Sequence, residues 1–265
     1  MRISDLLPLN FLLEGGHIFK NATGDIITVS IKKSDIKTTL DWLEKITQLP
    51  LTDYTLGSVG KKETSGDLDI VVDETKISKD ELINRLTNWI KKQGGNPKEW
   101  IKKLGISVHF KTPIAGDSKN GYVQTDFMFH KDPTWMKFSM HSAGDASKFS
   151  GAERNMIMSS IAKSQGLKYS WQKGLIRRED ETSISTDPNV IAQKLFGLKV
   201  NDSIFDSVES IQAGLKKNPV MIKRLQDLQS ALISNKINGV IKKTAQIKAD
   251  KEEFDRISKV LKDIS

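Results

Sequence analysis

Leu56-Gly57-Ser58-Val59-Gly60-Lys61-Lys62-Glu63-Thr64-Ser65-Gly66-Asp67-Leu68-Asp69-Ile70-Val71-Val72 decides how the rest of the chain reads. Side chains alternate across a strand, so Asp67 and Asp69 project from one face while Leu68 and Ile70 project from the other. The stretch therefore predicts a strand, Leu68 to Val72, with an apolar face for a core and an acidic face left over. Two carboxylates this close repel one another unless a cation lies between them. Hard oxygen donors suit Mg²⁺, which accepts one or two carboxylates together with substrate phosphates. Just upstream, Gly57 permits close backbone approach and Ser58 brings a hydroxyl and an amide N–H, so the turn can cradle a phosphate chain. Lys61 and Lys62 add positive charge beside it.

Working outward, Ser34 to Ile46 reads as a helix with Ser34 as its N-cap, and Tyr54-Thr55-Leu56 as a short strand. Ser78-Lys79-Asp80-Glu81 caps a second helix that ends near Gly94-Gly95. Ile106 to Phe110 and Tyr122 to Phe129 alternate as strands around a turn at Gly116 to Gly121. This order of helices and strands predicts an α/β (α+β) fold, a mixed sheet with flanking helices, followed by a C-terminal helical region. In the last of these strands Asp126 stands among Val, Phe and Met. A carboxylate there either occupies an exposed face, in alternation with Gln124, or needs a partner.

The chain has 265 residues, 37% of them hydrophobic, enough for one large domain or two modest ones. It contains no cysteine and four histidines, which excludes disulfides, thiolate catalysis and iron–sulfur clusters and argues against a His-rich metal site. No apolar run approaches the ~20 residues of a membrane span. Met1-Arg2 is followed by Asp5 and Pro8 without a small-residue cleavage site, so no secretion signal is read and a cytoplasmic protein is expected.

The net charge of +8 is unevenly spread. Residues 211–265 carry 12 Lys and Arg against 6 Asp and Glu, whereas residues 1–210 carry 29 against 27. The basic tail reads as helices, with a boundary at Asn218-Pro219 and further stretches at Ile237 to Ile247 and Lys251 to Ile264. Such a face either solvates a bundle or contacts a phosphate backbone. Trp89, Trp100, Met156 and Met158 read as packing residues. Trp135 reads the same way, with base stacking as the alternative. Tyr169 and Trp171 within Lys168 to Arg178 suit nucleic-acid contact and plain packing equally.

A Gly-Ser turn, eight residues, Asp-x-Asp opening a Val-rich strand and a lone strand Asp 57 residues later form a pattern that resembles the polymerase-β-like nucleotidyltransferase superfamily. Ser65-Gly66-Asp67-Leu68-Asp69 is closest to the family X DNA polymerase palm. Downstream, Ser142-Ala143-Gly144-Asp145, Phe149, Arg154 and Gly166-Leu167 are similar to the nucleotide-facing turn and following helix of those polymerases, and Ser185 to Phe196 to their closing thumb element. The likeness covers roughly residues 52–200. Glu14-Gly15-Gly16-His17-Ile18-Phe19 is also similar to tailed-phage nucleotidyltransferases, which would place the protein in a bacterial host cytoplasm.

The resemblance implies a palm-like catalytic domain over residues 1–136, a thumb-like, nucleotide-facing domain over 137–204 and a basic helical region over 205–265. It implies an enzyme, a DNA polymerase X-like or terminal or tRNA nucleotidyltransferase-like transferase, that uses two Mg²⁺ ions, or Mn²⁺ in their place. Asp67, Asp69 and Asp126 would be the metal ligands and catalytic residues. Gly57, Ser58, Lys61, Gly144, Asp145 and Arg154 would bind the nucleotide, an NTP or dNTP, and a DNA, RNA or tRNA 3′-hydroxyl would be the acceptor.

The chain also departs from the pattern. Lysines replace the usual arginine of the Gly-Ser turn, which is one residue shorter. His141-Ser142-Ala143 stands where an aromatic residue meets the sugar, leaving ribonucleotides and deoxyribonucleotides both open. Too few residues precede position 50 for separate lyase and helix-hairpin-helix domains. Transfer to a protein or small molecule, and a non-catalytic nucleic-acid-binding module, are the alternatives. Oligomeric state is not legible.

Overall fold

The computed structural model describes residues 18–233, 236–237, 240–241 and 244–264. Residues 14–17 of the N-terminal segment compared above with phage enzymes lie outside them. The chain divides into two compact units that meet between Lys137 and Phe138.

In the first unit β1 (Ile31–Lys32) runs directly into α1 (Lys33–Thr47), and β2 (Thr64–Ser65) pairs with β1. The strand that carries Asp67 and Asp69 is β3 (Asp67–Asp73). It is followed by α2 (Lys79–Lys92), the single turn α3 (Pro97–Trp100), β4 (Ile101–Leu104), β5 (Ser107–Pro113), β6 (Tyr122–His130) and α4 (Pro133–Ser139), whose last two residues belong to the second unit. The sheet order is β3-β6-β5-β4. β3 and β6 are parallel, so the chain must cross over between them: α2 and α3 lead from β3 to β4 at the far edge, and β5 brings the chain back to β6. β5 pairs antiparallel with both β6 and β4.

One face of this sheet is apolar and covered by helices. Leu68, Ile70 and Val72 of β3, Val108 and Phe110 of β5, and Val123, Phe127 and Phe129 of β6 join Leu40 and Leu43 of α1 and Leu82, Leu86 and Ile90 of α2 in one core. The helix residues recur at three- and four-residue steps, as a single buried stripe requires. Each large apolar side chain buried there contributes roughly 1.5–3 kcal/mol. Trp42, Trp89 and Trp100 close one side of the core, with Trp42 and Trp89 edge-to-face at 5.0 Å and Trp89 and Trp100 at 5.7 Å. Trp89 and Trp100 are packing residues, as expected.

Ser78 caps α2 as read, accepting from the Glu81 N–H at 3.2 Å. Ser34 does not cap α1. Lys32 is the N-cap and makes no side-chain cap bond, because the strand β1 leads straight into the helix and the Glu63 carbonyl accepts from the Lys33 N–H. Tyr54 to Leu56 is not a strand of its own. Thr52–Tyr54 form a 3₁₀ turn, and Thr55 makes only an isolated bridge to Ile70.

The second unit is built around α5 (Gly151–Lys163), followed by a three-stranded antiparallel sheet of β7 (Leu167–Ser170), β8 (Gly174–Arg177) and β9 (Ser183–Ser185). Four further α-helices follow: α6 (Pro188–Phe196), α7 (Val208–Lys216), α8 (Pro219–Leu232) and α9 (Thr244–Lys262). A capping box joins Ser150 and Glu153 at the start of α5. Met158 and Ile161 of α5, Leu195 of α6, Leu215 of α7, Leu225 of α8 and Ile257 and Val260 of α9 are all buried. The division expected at 204/205 therefore falls inside one unit.

The tail is also not helical throughout 237–247. β10 (Lys236–Ile237) pairs with β11 (Val240–Ile241), and α9 begins at Thr244. The β-branched pair Val240-Ile241 favours extended backbone over the helical spacing. Asn218 caps α8 with Pro219 at its first position, as the sequence indicated. Among the described residues no helix is long and apolar enough to cross a membrane.

Candidate metal centre

The face of the sheet turned away from the helices carries polar side chains in two of its rows, next to a row in which Val71 and Met128 are buried. Because β3 and β6 are parallel and in register, Asp69 lies opposite Asp126 and Asp67 opposite Gln124. The antiparallel register of β5 adds His109 opposite Asp126 and Lys111 opposite Gln124. Two adjacent rows thus cross the sheet, Asp67–Gln124–Lys111 and Asp69–Asp126–His109. Alternation forces this arrangement: the neighbours of each of these residues along its strand, such as Leu68, Thr125, Phe127 and Phe110, are fully buried on the other face.

Asp67, Asp69 and Asp126 can each offer a carboxylate oxygen within 4.8 Å of the others, a grouping that could hold a metal ion. Asp67 and Asp69 are half-buried, and Asp126 is 9% exposed. The exposed-face alternative for Asp126 does not hold. It shares a face with Gln124, but both are buried, and Asp126 meets its need for partners through hydrogen bonds. Burial and then the charges of Asp67 and Asp126 push the Asp69 carboxyl well above the usual carboxylate range. Three negative groups gathered at a poorly solvated spot are costly without a cation, and an all-oxygen donor set fits a hard divalent ion.

The Gly-Ser turn is tied to the same strand. The Leu56 N–H donates to the Asp69 carbonyl at 2.8 Å, which fixes the start of the turn beside the acidic residue. Gly57 follows at φ +62°, a conformation that favours glycine. Within the turn Val59 N–H donates to the Leu56 carbonyl at 3.3 Å and Lys61 N–H to the Ser58 carbonyl at 3.0 Å. Ser58 is half-buried and Lys61 is exposed.

Gly144, Asp145 and Arg154 belong to the second unit. Gly144 is buried at φ +61° in a 3₁₀ turn, Gly144–Ala146, while Asp145 is exposed. Arg154 is 2% exposed. Its Nε donates to the Phe205 carbonyl, and its Nη1 donates to the Phe138 carbonyl at 3.3 Å and to Asn155 Oδ1 at 3.1 Å. The guanidinium lies over the Phe138 ring at 4.7 Å. Arg154 thus ties parts of its own unit together, and its expected part in nucleotide binding is corrected on that ground: a side chain so enclosed has no reach. Trp135 and Tyr169 are buried too, which decides for packing at both.

Two residues of the centre were not read as site residues. Gln124 Nε2 donates to Asp126 Oδ1 at 2.9 Å and to Oδ2 at 3.1 Å, and His109 Nδ1 is 2.7 Å from Oδ1. Gln124 could have been found from its place two residues before Asp126 on one strand face. His109 could not, because its register against Asp126 is a property of the folded sheet. Compared with known proteins, the sequence matches no family model and no curated protein.

Proposed function

We propose that the protein is a Mg²⁺-dependent nucleotidyltransferase that moves a nucleoside monophosphate from an NTP or dNTP to a nucleic-acid 3′-hydroxyl, releasing pyrophosphate. The observation that carries this reading is the convergence of Asp67, Asp69 and Asp126 on two in-register parallel strands with the Gly57-Ser58 turn anchored to one of them. The residues fit a pair of divalent ions, which when bound supply charge neutralisation at the α-phosphate and a template for the attacking and leaving oxygens.

Asp67 and Asp69 would hold these ions, and Asp126 would complete the ligand set. Ser58, through its hydroxyl and backbone N–H, would hold the terminal phosphates, with Gly57 keeping the backbone close and Lys61 adding positive charge. Asp126 would accept the proton of the attacking hydroxyl as the new oxygen–phosphorus bond forms and the bond to pyrophosphate breaks. Positioned charge rather than nucleophilic side-chain chemistry carries such a reaction, in keeping with a chain that lacks cysteine.

The test is transfer of label from α-labelled NTPs and dNTPs, with Mg²⁺ or Mn²⁺, to primer, primer–template and tRNA acceptors. Labelled acceptor is expected with at least one of them. No incorporation with any acceptor, or activity unaffected by Asp69→Ala and Asp126→Ala, would overturn the proposal.

A further inference from the structure

Asp126 is held from the side opposite to its acidic neighbours. In its row of the sheet Asp69 stands on β3 to one side and His109 on β5 to the other. His109 Nδ1 lies 2.7 Å from Asp126 Oδ1, and since an ionised carboxylate only accepts, the ring nitrogen carries the hydrogen. Gln124 grips the same carboxylate at both oxygens, at 2.9 and 3.1 Å. The amide cannot turn over freely, because its Oε1 accepts from the Ile18 N–H at 3.0 Å, which directs the NH₂ toward Asp126. Gln124 is fully buried and His109 is 6% exposed.

Packing alone does not call for these two residues. Among the described residues the buried His109 ring has no hydrogen-bond partner for its Nε2, a cost that an apolar side chain of similar size would avoid. What the polar pair provides is orientation: Oδ1 of Asp126 receives two donors and Oδ2 one. We propose that Gln124 and His109 are positioning residues that lock the Asp126 carboxylate in the rotamer it presents to Asp67 and Asp69. This rests on the reading of the three carboxylates as a divalent-cation site. Partners of this kind, one step behind a metal ligand, typically account for roughly 10- to 100-fold in metal affinity or activity.

The test is Mn²⁺ affinity of the full-length chain, followed by electron paramagnetic resonance titration, alongside nucleotidyl transfer and thermal melting. His109→Leu and Gln124→Met are each expected to weaken Mn²⁺ binding roughly 10- to 100-fold. His109→Asn, which keeps a donor near the place of ring Nδ1, is expected to restore most of it. In an Asp126→Asn background, His109→Leu and Gln124→Met are expected to add little, since both act through Asp126. If melting shows that His109→Leu fails to fold, Gln124→Met carries the test. Wild-type Mn²⁺ binding that depends on Asp69 but is unmoved by these variants, or that they weaken equally without Asp126, overturns the positioning role alone. No Mn²⁺ binding by the wild type, or binding indifferent to Asp69→Asn, overturns the metal site and the positioning role together.

Discussion

Asp69 and Asp126 stand opposite one another on neighbouring parallel strands, in strict register. A one-residue slip of β6 would turn Asp126 into the core and bring Thr125 or Phe127 to the acidic face. The register is held by the apolar side, where Ile70 and Phe127 are fully buried. The site is thus specified by the core, and the core in turn tolerates an acidic face because it lies on the side away from the helices.

Burial of Asp69, reinforced by its acidic neighbours Asp67 and Asp126, makes stability depend on pH in a definite direction. The native pKa of Asp69 is raised above that of the unfolded chain, so the native state holds a proton that the unfolded state has lost. The stabilisation from this group is fully present below the ordinary carboxylate value and is lost as pH rises through the raised value. Without divalent cations, melting of the wild type should therefore fall as pH rises out of the acid range. Asp69→Asn should melt higher than wild type at neutral pH. Saturating Mn²⁺ should reverse that order, because only the wild type gains binding energy. An Asp69→Asn protein less stable than wild type at neutral pH without cations would contradict this.

Activity should fall steeply with each ligand. Asp69→Asn and Asp126→Asn are each expected to lower kcat by roughly 100-fold or more, about 3 kcal/mol on the barrier. Ser58→Ala, which removes one hydroxyl from the phosphate turn, should act more on KM for the nucleotide, by roughly 10-fold. Steady-state kinetics with varied nucleotide separates the two patterns.

Core truncation should be costly at the residue next to Asp126. Phe127→Ala removes a fully buried ring from the face opposite the acids and should destabilise the first unit by roughly 3–5 kcal/mol, measured by denaturant unfolding.

The basic tail should not be separable. α9 buries Ile257 and Val260, and Glu253 pairs with Lys163 of α5 at 2.5 Å. Deleting residues 244–265 should lower the melting temperature of the second unit, so loss of acceptor binding in such a truncation would not locate the acceptor. Lys216 and Lys217 are exposed, so exchanging them for Ala should leave the fold intact and isolate charge. If they contact phosphates, the dependence of log affinity on log salt should lose about one unit of slope for each lysine.

Long alternating segments were the legible part of this chain. β3 and β6 could be read from Leu68 to Val72 and from Tyr122 to Phe129 because each alternates between a largely apolar face and a more polar one, and the three acids followed from that alternation. β4 could not, since Ile101–Leu104 contains Lys102 and Lys103 and lies at the sheet edge with three of its four residues exposed. Ser34 looks like a cap by residue type, but the preceding strand pairs with β2 and sets the helix start one residue earlier. Arg154 reads as a free cation until the carbonyls of Phe138 and Phe205 are seen to enclose it. His109 becomes part of the centre only through pairing between β5 and β6, which no local pattern specifies.

The proposed chemistry requires that the three carboxylates bind metal beside a nucleotide. Anomalous scattering from crystals soaked with Mn²⁺ and a non-hydrolysable nucleotide measures this. The predicted result is at least one Mn²⁺ peak at about 2.1–2.2 Å from oxygens of Asp67, Asp69 or Asp126, with the terminal phosphates at the Gly57-Ser58 turn. Nucleotide bound elsewhere, or no peak at these carboxylates under saturating Mn²⁺, would contradict it.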